Sequence, residues 1–139
     1  IVAPGSLVEP WQDELFHKFH LRFEILTNDR IESAVSGDIF TEIDYCICRL
    51  DKLARNDDIQ HKLEATEWDL IVCDEAHLFI DAKFPIALDF FFSMSKRIRK
   101  YGGSFIPATQ NIADWNANEE LRGKTSAIIK NSQYTFIFK

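Results

Sequence analysis

Short apolar runs alternate with longer amphipathic stretches along this chain, and the alternation predicts its elements. Ile1-Val2-Ala3 reads as a strand that stops at Pro4-Gly5. Ser6 and Glu9 have the S-x-x-E spacing of a capping box, ahead of a helix with Leu7, Trp11, Leu15 and Phe19 on one face. Pro10 falls in the first turn of that helix, at the cost of one backbone hydrogen bond. Phe23–Leu26 predicts a short strand closed by Thr27-Asn28-Asp29, with a weak helix after it to about Val35, before Gly37. Asp44–Leu50 predicts a further strand, and the stretch LDKLARNDDIQHKLEA is mostly helical. Trp68–Cys73 is again a strand. Phe84, Leu88, Phe91, Met94, Ile98 and Tyr101 then recur at three- and four-residue steps, which predicts a helix over 83–101. Its basic last turns (KRIRK) suit the helix dipole, and Gly102-Gly103 supplies the stop. Ser104–Gln110 predicts a strand with a polar end, 115–131 a helical or irregular stretch, and Tyr134–Phe138 a closing strand.

Strand and helix alternate throughout, the pattern of βαβ units that build a parallel sheet with helices on both faces. The predicted fold class is therefore α/β: one three-layer αβα sandwich with a mostly parallel sheet, spanning 1–139 as a single domain. No internal repeat, low-complexity tract or linker interrupts it.

Composition narrows the function classes. The 139 residues are 46% hydrophobic and 27% charged with few Gly and Pro, enough apolar side chain for a packed core and unlike a disordered chain. The formal net charge of −6 argues against a free-standing nucleic-acid binder, though not against a local basic face in a larger machine. Cys46, Cys48 and Cys73 lie in apolar runs without CxxC or Cys/His ligand spacing, so they read as buried reduced thiols rather than a disulfide framework or zinc site. His17, His20 and His61 stand on polar stretches and acquire no role. No apolar run reaches the length of a membrane span and no signal peptide is visible, so a cytoplasmic protein is expected. The chain opens and closes on strand-like residues without an initiator Met, as expected of a piece of something longer.

The chemistry concentrates in LIVCDEAH. An apolar run of this kind predicts a strand buried on both faces, and Asp74 and Glu75 at its carboxyl end stand where open α/β sheets bind ligands. In phosphoryl-transfer sites the first acid orients Mg²⁺, often through a water, and the second polarises the attacking water. The plainer reading is an acidic pair that opens a loop or caps a helix. Ala76 and His77 complete the tetrapeptide DEAH, a far more specific string in this context. Ala108-Thr109-Gln110 closes the next predicted strand, where Gln110 either senses a terminal phosphate or positions water, or is simply solvated. Lys96-Arg97-Ile98-Arg99-Lys100 is either a phosphate-backbone contact and arginine donor or a solvated helix end that complements the dipole.

One element is missing from the sequence. No G-x-x-x-x-G-K-[ST] string occurs, and Gly102-Gly103 precedes a strand, not a helix. Gly5-Ser6 could offer backbone N–H groups to an anion but has no Lys beside it. The carboxylates are present without a phosphate cradle.

Two resemblances meet at these residues. Residues 1 to about 77 resemble the first RecA-like lobe of Swi/Snf-type DEAD/DEAH helicases: IVAPGSLVEPWQDEL is similar to their motif Ia, CRLDKLARN to motif Ib and WDLIVCDEAH to motif II. From about 74 to 139, DEAHLFIDAKFPIALDFFFSMSKRIRKYGGSFIPATQNIADW is similar to conjugative-transfer ATPases of type IV secretion (the TraE/TrsE-like group), and the Ser/Thr-Ala-Thr motif III of a helicase lobe is absent. The join, natural or engineered, would be a chimera of a 1–77 helicase-like half and a 78–139 transfer-ATPase-like half. Both resemblances imply a RecA-like P-loop NTPase core whose Walker A strand and loop would precede residue 1, with the DEAH strand beside the phosphate-binding strand. They imply ATP and Mg²⁺ as cofactors, Asp74 as metal ligand, Glu75 and Gln110 as catalytic residues, His77 and Thr109 at the nucleotide, and DNA as partner. The expected function is a partial motor ATPase domain, inactive alone for lack of Walker A; the alternative is a non-enzymatic chimeric or engineered α/β scaffold. An exposed sheet edge left by an absent strand would invite self-association.

Overall fold

The computed structural model describes residues 1–80, 85–110, 113, 115 and 122–137. Five strands, β1 (Val2–Ala3), β2 (Glu24–Ile25), β3 (Cys46–Arg49), β4 (Leu70–Cys73) and β5 (Ser104–Pro107), form one sheet in the order β2-β3-β1-β4-β5. All four pairings are parallel. Helices α1 (Val8–Phe19), α2 (Asn28–Glu32), α3 (Leu50–Ala54), α4 (Asp57–Ala65), α5 (Pro85–Arg97) and α6 (Arg122–Asn131) flank it. The molecule is thus α/β, compatible with a RecA-like three-layer sandwich, and its sheet is wholly parallel where the sequence predicts mostly parallel.

The apolar runs explain the order. Val2 sits at the centre, opposite Cys48 on one side and Cys73 on the other. Val2, Ala3, Ile47, Cys48 and Cys73 are buried, but β4, predicted as buried on both faces, is covered only in part: Leu70 is exposed and Val72 half-buried. The period read over 83–101 also holds where it is described: Leu88, Phe91, Met94 and Ile98 are buried, while Tyr101 is exposed at the end. Phe91 packs edge-on against Phe105 of β5 at 4.7 Å and against Trp115 at 6.0 Å between ring centroids. Gly102, at φ +76°, makes the left-handed stop that a residue with a Cβ resists.

Several expectations are corrected. The Ser6/Glu9 capping box does not form, because Gly5–Leu7 closes a 3₁₀ turn and Leu7 becomes the N-cap of α1 without a side-chain bond. Phe19, placed on the apolar face of that helix, is 65% exposed. The long helical stretch after β3 breaks at Arg55-Asn56, where Asn56 Oδ1 accepts the Ile59 N–H at 3.1 Å and starts a second helix. Tyr134–Ile137 is not a strand; Tyr134, Phe136 and Ile137 stand exposed without a sheet neighbour. Phe84, Phe138 and 116–121 lie outside the described residues. Both edges of β4 are taken, by β1 and β5, so no further strand fits directly beside the one that carries Asp74. Among the described residues β2 and β5 are the edge strands.

The basic helix end is tied down within the fold. Arg97 lies 3.4 Å from Glu64, Lys96 stands 3.8 Å over the Phe92 ring, and Arg99 donates to the Asn131 carbonyl at 3.4 Å.

Burial raises all three thiols, and pushes Cys48 and Cys73 up to about 12. Iodoacetamide at pH 8 is therefore expected to leave Cys48 and Cys73 unlabelled in the native chain and to label them once urea unfolds it, as read by mass spectrometry. Labelling of either in the folded chain would contradict their burial. Because these values are raised on folding, the stability they contribute is complete below about pH 9 and is lost as pH climbs toward about 12.

Candidate functional site

Strands β3 and β2 lie on one side of β1, and β4 and β5 on the other, so the order of construction reverses between β1 and β4. At the carboxyl ends of a parallel sheet, such a reversal parts the outgoing loops and leaves a crevice. The loops that part here are Pro4–Ser6 after β1 and Asp74–Glu75 after β4.

Asp74 extends the ladder by one residue, donating its backbone N–H to the Val2 carbonyl at 2.8 Å. Its side chain is held at both oxygens. Oδ1 accepts the Glu75 N–H at 3.0 Å, and Oδ2 accepts the indole N–H of Trp11, on α1, at 2.8 Å. Glu75 then turns the chain sharply with φ +51°, a left-handed conformation that costs a residue with a Cβ roughly 1 kcal/mol or more. The turn is anchored by the Ala76 N–H on the Ala108 carbonyl at 2.7 Å and by the Leu78 N–H on the Glu75 carbonyl at 2.9 Å.

The same turn brings the second acid to the end of β5. Gln110 Nε2 donates to Glu75 Oε1 at 2.7 Å, although the two residues lie 35 positions apart. Glu75 Oε2 lies 3.2 Å from His77 Nδ1, close enough for an ion pair with a protonated ring but out of line for a hydrogen bond, and that nitrogen has no other partner. Thr109 sits beside Gln110, half-buried. Asp74, Glu75, His77 and Gln110 thus converge on one rim, with Thr109 adjacent.

Beside them opens a cleft of about 450 Å³ lined by Pro4, Gly5, Ser6, Arg49, Leu50, Asp51 and Leu78. Arg49 is forked onto Asp51 (Nε–Oδ1 3.1 Å, Nη2–Oδ2 3.0 Å), and its guanidinium lies against Gly5, where an added Cβ would stand 3.0 Å from Nη2. The absence of a side chain at Gly5 is what lets the arginine lie flat there.

Sequence reasoning missed Trp11 and Arg49 as site residues. Both stand in the motif-like strings IVAPGSLVEPWQDEL and CRLDKLARN, but nothing in a linear pattern says that Trp11 reaches a carboxylate 63 residues away. Chemically, the rim offers hard oxygen donors that suit a hydrated Mg²⁺, which protein sites commonly hold through one or two carboxylates and the phosphates of a substrate. Among the described residues no cluster of three or more His, Cys, Asp or Glu side chains would hold a metal unaided. No described helix is long and apolar enough to cross a membrane.

No family model matches the chain. Over 79 residues, 55% of its length, it is 40% identical to the RNA polymerase-associated protein RapA of Erwinia tasmaniensis. It is 38% identical over the same length to the RapA proteins of Yersinia pestis (strain Pestoides F) and Yersinia pseudotuberculosis (strain IP 31758). The matched stretch covers 8% of each of these relatives. This partial similarity is consistent with a Swi/Snf-type helicase lobe. The similarity of residues 74–139 to transfer ATPases draws no support from these relatives.

Proposed function

We propose that this chain contributes the acidic half of the nucleotide site of an ATP-driven DNA helicase or translocase, and that alone it turns over ATP slowly or not at all. The convergence of Asp74, Glu75 and Gln110 at the switch-point rim carries this reading. Asp74 is the Walker B acid that orients Mg²⁺, through water as its two occupied oxygens favour. Glu75 accepts a proton from the attacking water, and Gln110, bonded to Glu75, positions that water or senses the terminal phosphate. His77 and Thr109 flank the nucleotide. Bound Mg²⁺ supplies charge neutralisation to a triphosphate; this chain's residues supply the orientation and the proton acceptor. The cleft at Gly5, Ser6 and Arg49 is the contact for a nucleic-acid phosphodiester. RNA polymerase, which the relatives' name carries, enters only as a partner of the larger motor.

The cradle is the reason for the expected inactivity. A Gly-rich loop and its Lys provide most of the affinity for the β- and γ-phosphates and much of the transition-state charge stabilisation, several kcal/mol in all. In this reading a strand carrying such a loop would join the sheet at the β5 edge, near Gln110. Calorimetric titration with Mg·ATP is expected to give weak binding, with a Kd of about 1 mM, that Asp74→Ala abolishes. Binding unchanged by Asp74→Ala, or no heat at several times that concentration, would remove the motor reading and leave an α/β scaffold without activity of its own, which the missing cradle already favours for the chain in isolation.

A further inference from the structure

We propose that Trp11 is the positioning residue of Asp74: its indole N–H fixes the rotation of the carboxylate and so determines how Asp74 meets a metal ion. The proposal rests on Asp74 being a Mg²⁺-orienting acid.

The geometry is that of a carboxylate pinned from two sides. The Glu75 N–H holds Oδ1 at 3.0 Å and comes from the adjacent residue, so it travels with the turn. The Trp11 N–H holds Oδ2 at 2.8 Å and comes from another element altogether. With one contact alone the carboxylate could rotate about its Cβ–Cγ bond; with two it cannot. Each oxygen accepts about two hydrogen bonds, so both keep a lone pair for a metal or its water shell after Trp11 and Glu75 are served. An indole is suited to this task. It donates one N–H and accepts nothing, so it neither competes for the cation nor protonates the acid. Its apolar body is half-buried on α1, and its planar ring carries the donor at a fixed place on the ring edge, unlike the freely turning ammonium of a Lys. Outer contacts that orient metal-binding carboxylates commonly govern affinity by an order of magnitude or more.

The test uses the ¹⁵N-labelled chain, in which Trp11, Trp68 and Trp115 supply three indole N–H signals, and Trp11→Phe identifies the first by its loss. MgCl₂ is the probe. Saturable shifts are expected at the backbone amides of 74–76 and at the Trp11 indole, with the Trp68 indole unmoved. Trp11→Phe, which keeps the ring body, is expected to weaken the Mg²⁺ response of the 74–76 amides about 10-fold without changing the circular dichroism spectrum. Asp74→Asn is the second variant, should Trp11→Phe fold poorly: it should displace the Trp11 indole signal and abolish its response to Mg²⁺. Shifts at 74–76 that are equally strong in Trp11→Phe, or a Trp11 indole indifferent to both Mg²⁺ and Asp74→Asn, would overturn the positioning role alone. No Mg²⁺ response at 74–76 in the unaltered chain would overturn the metal-site reading and the positioning role with it.

Discussion

A Gly103→Ala chain is expected to lose at least about 3 kcal/mol of stability, the steepest loss from adding one methyl group anywhere among the glycines. A Cβ built at Gly103 stands 2.0 Å from the Trp68 carbonyl oxygen and 2.8 Å from Ile98 Cγ1. Neither distance is tolerable, and the nearer atom is backbone, so no rotamer change relieves it. The strands themselves would have to part where β4 and β5 begin to pair, at the Ser104 N–H bond to the Asp69 carbonyl. For a domain of this size each kcal/mol moves the melting midpoint by about 3–5 °C, so a drop of roughly 10 °C or more is expected by circular dichroism. Gly102→Ala is the informative comparison. No atom lies near its would-be Cβ, but its φ is +76°, so its cost is conformational and about 1 kcal/mol. Equal costs for the two substitutions would contradict the close approach at Gly103.

Phe91→Ala is expected to cost about 3–5 kcal/mol, with a melting midpoint lower by roughly 10–20 °C. Phe91 is 1% exposed and is the largest of the fully buried side chains among the described residues. Its ring links α5 to β5 through Phe105 and to Trp115 beyond it, so its removal leaves a hole bordered by two aromatic rings that cannot collapse into it without leaving their own contacts. Phe91→Leu, which fills most of that volume, should recover more than half of the loss. A denaturant titration that finds Phe91→Ala within about 1 kcal/mol of the unaltered chain would mean that α5 does not depend on this contact.

The two substitutions also bear on the site. Both act on β5 or on its junction with β4, and β5 carries Ala108 and Gln110 to the Glu75 turn. A loosened β5 should therefore weaken the Gln110–Glu75 bond before it disturbs Trp11 and Asp74, which hang from α1 and β4.

How much of this was legible in the sequence differs by element. The apolar runs at 46–49, 70–73 and 104–107 announced their strands, although only β3 is buried on both faces: Leu70 of β4 and Ile106 of β5 are about half exposed. The period of α5 was equally plain. What a linear pattern cannot carry is the neighbour. Tyr134–Ile137 has the composition of a strand and remains exposed, because a strand is completed by a partner that the segment itself does not contain. Ser6 and Glu9 have the spacing of a capping box, but a tight turn after Pro4 consumes Ser6 before the helix starts. The acids and the glutamine were readable as candidates from their places after strands. Their meeting was not, since the Glu75 turn and the Trp11 donor depend on contacts between residues far apart in the chain.

The placement of β1 has a consequence for how the molecule is made. Val2 is clamped between Cys48 and Cys73, so the middle of the sheet consists of two residues whose partners are synthesised long after them. During translation from a ribosome β1 can pair with β3 once residues 46–49 have emerged, but its other side waits, unpaired, until the polypeptide has been extended past β4. Assembly in that direction therefore completes the centre of the sheet only when β4 arrives. Nascent chains that stall between β3 and β4 would expose the unpaired side of β1, and with it the apolar residues most prone to capture by a chaperone.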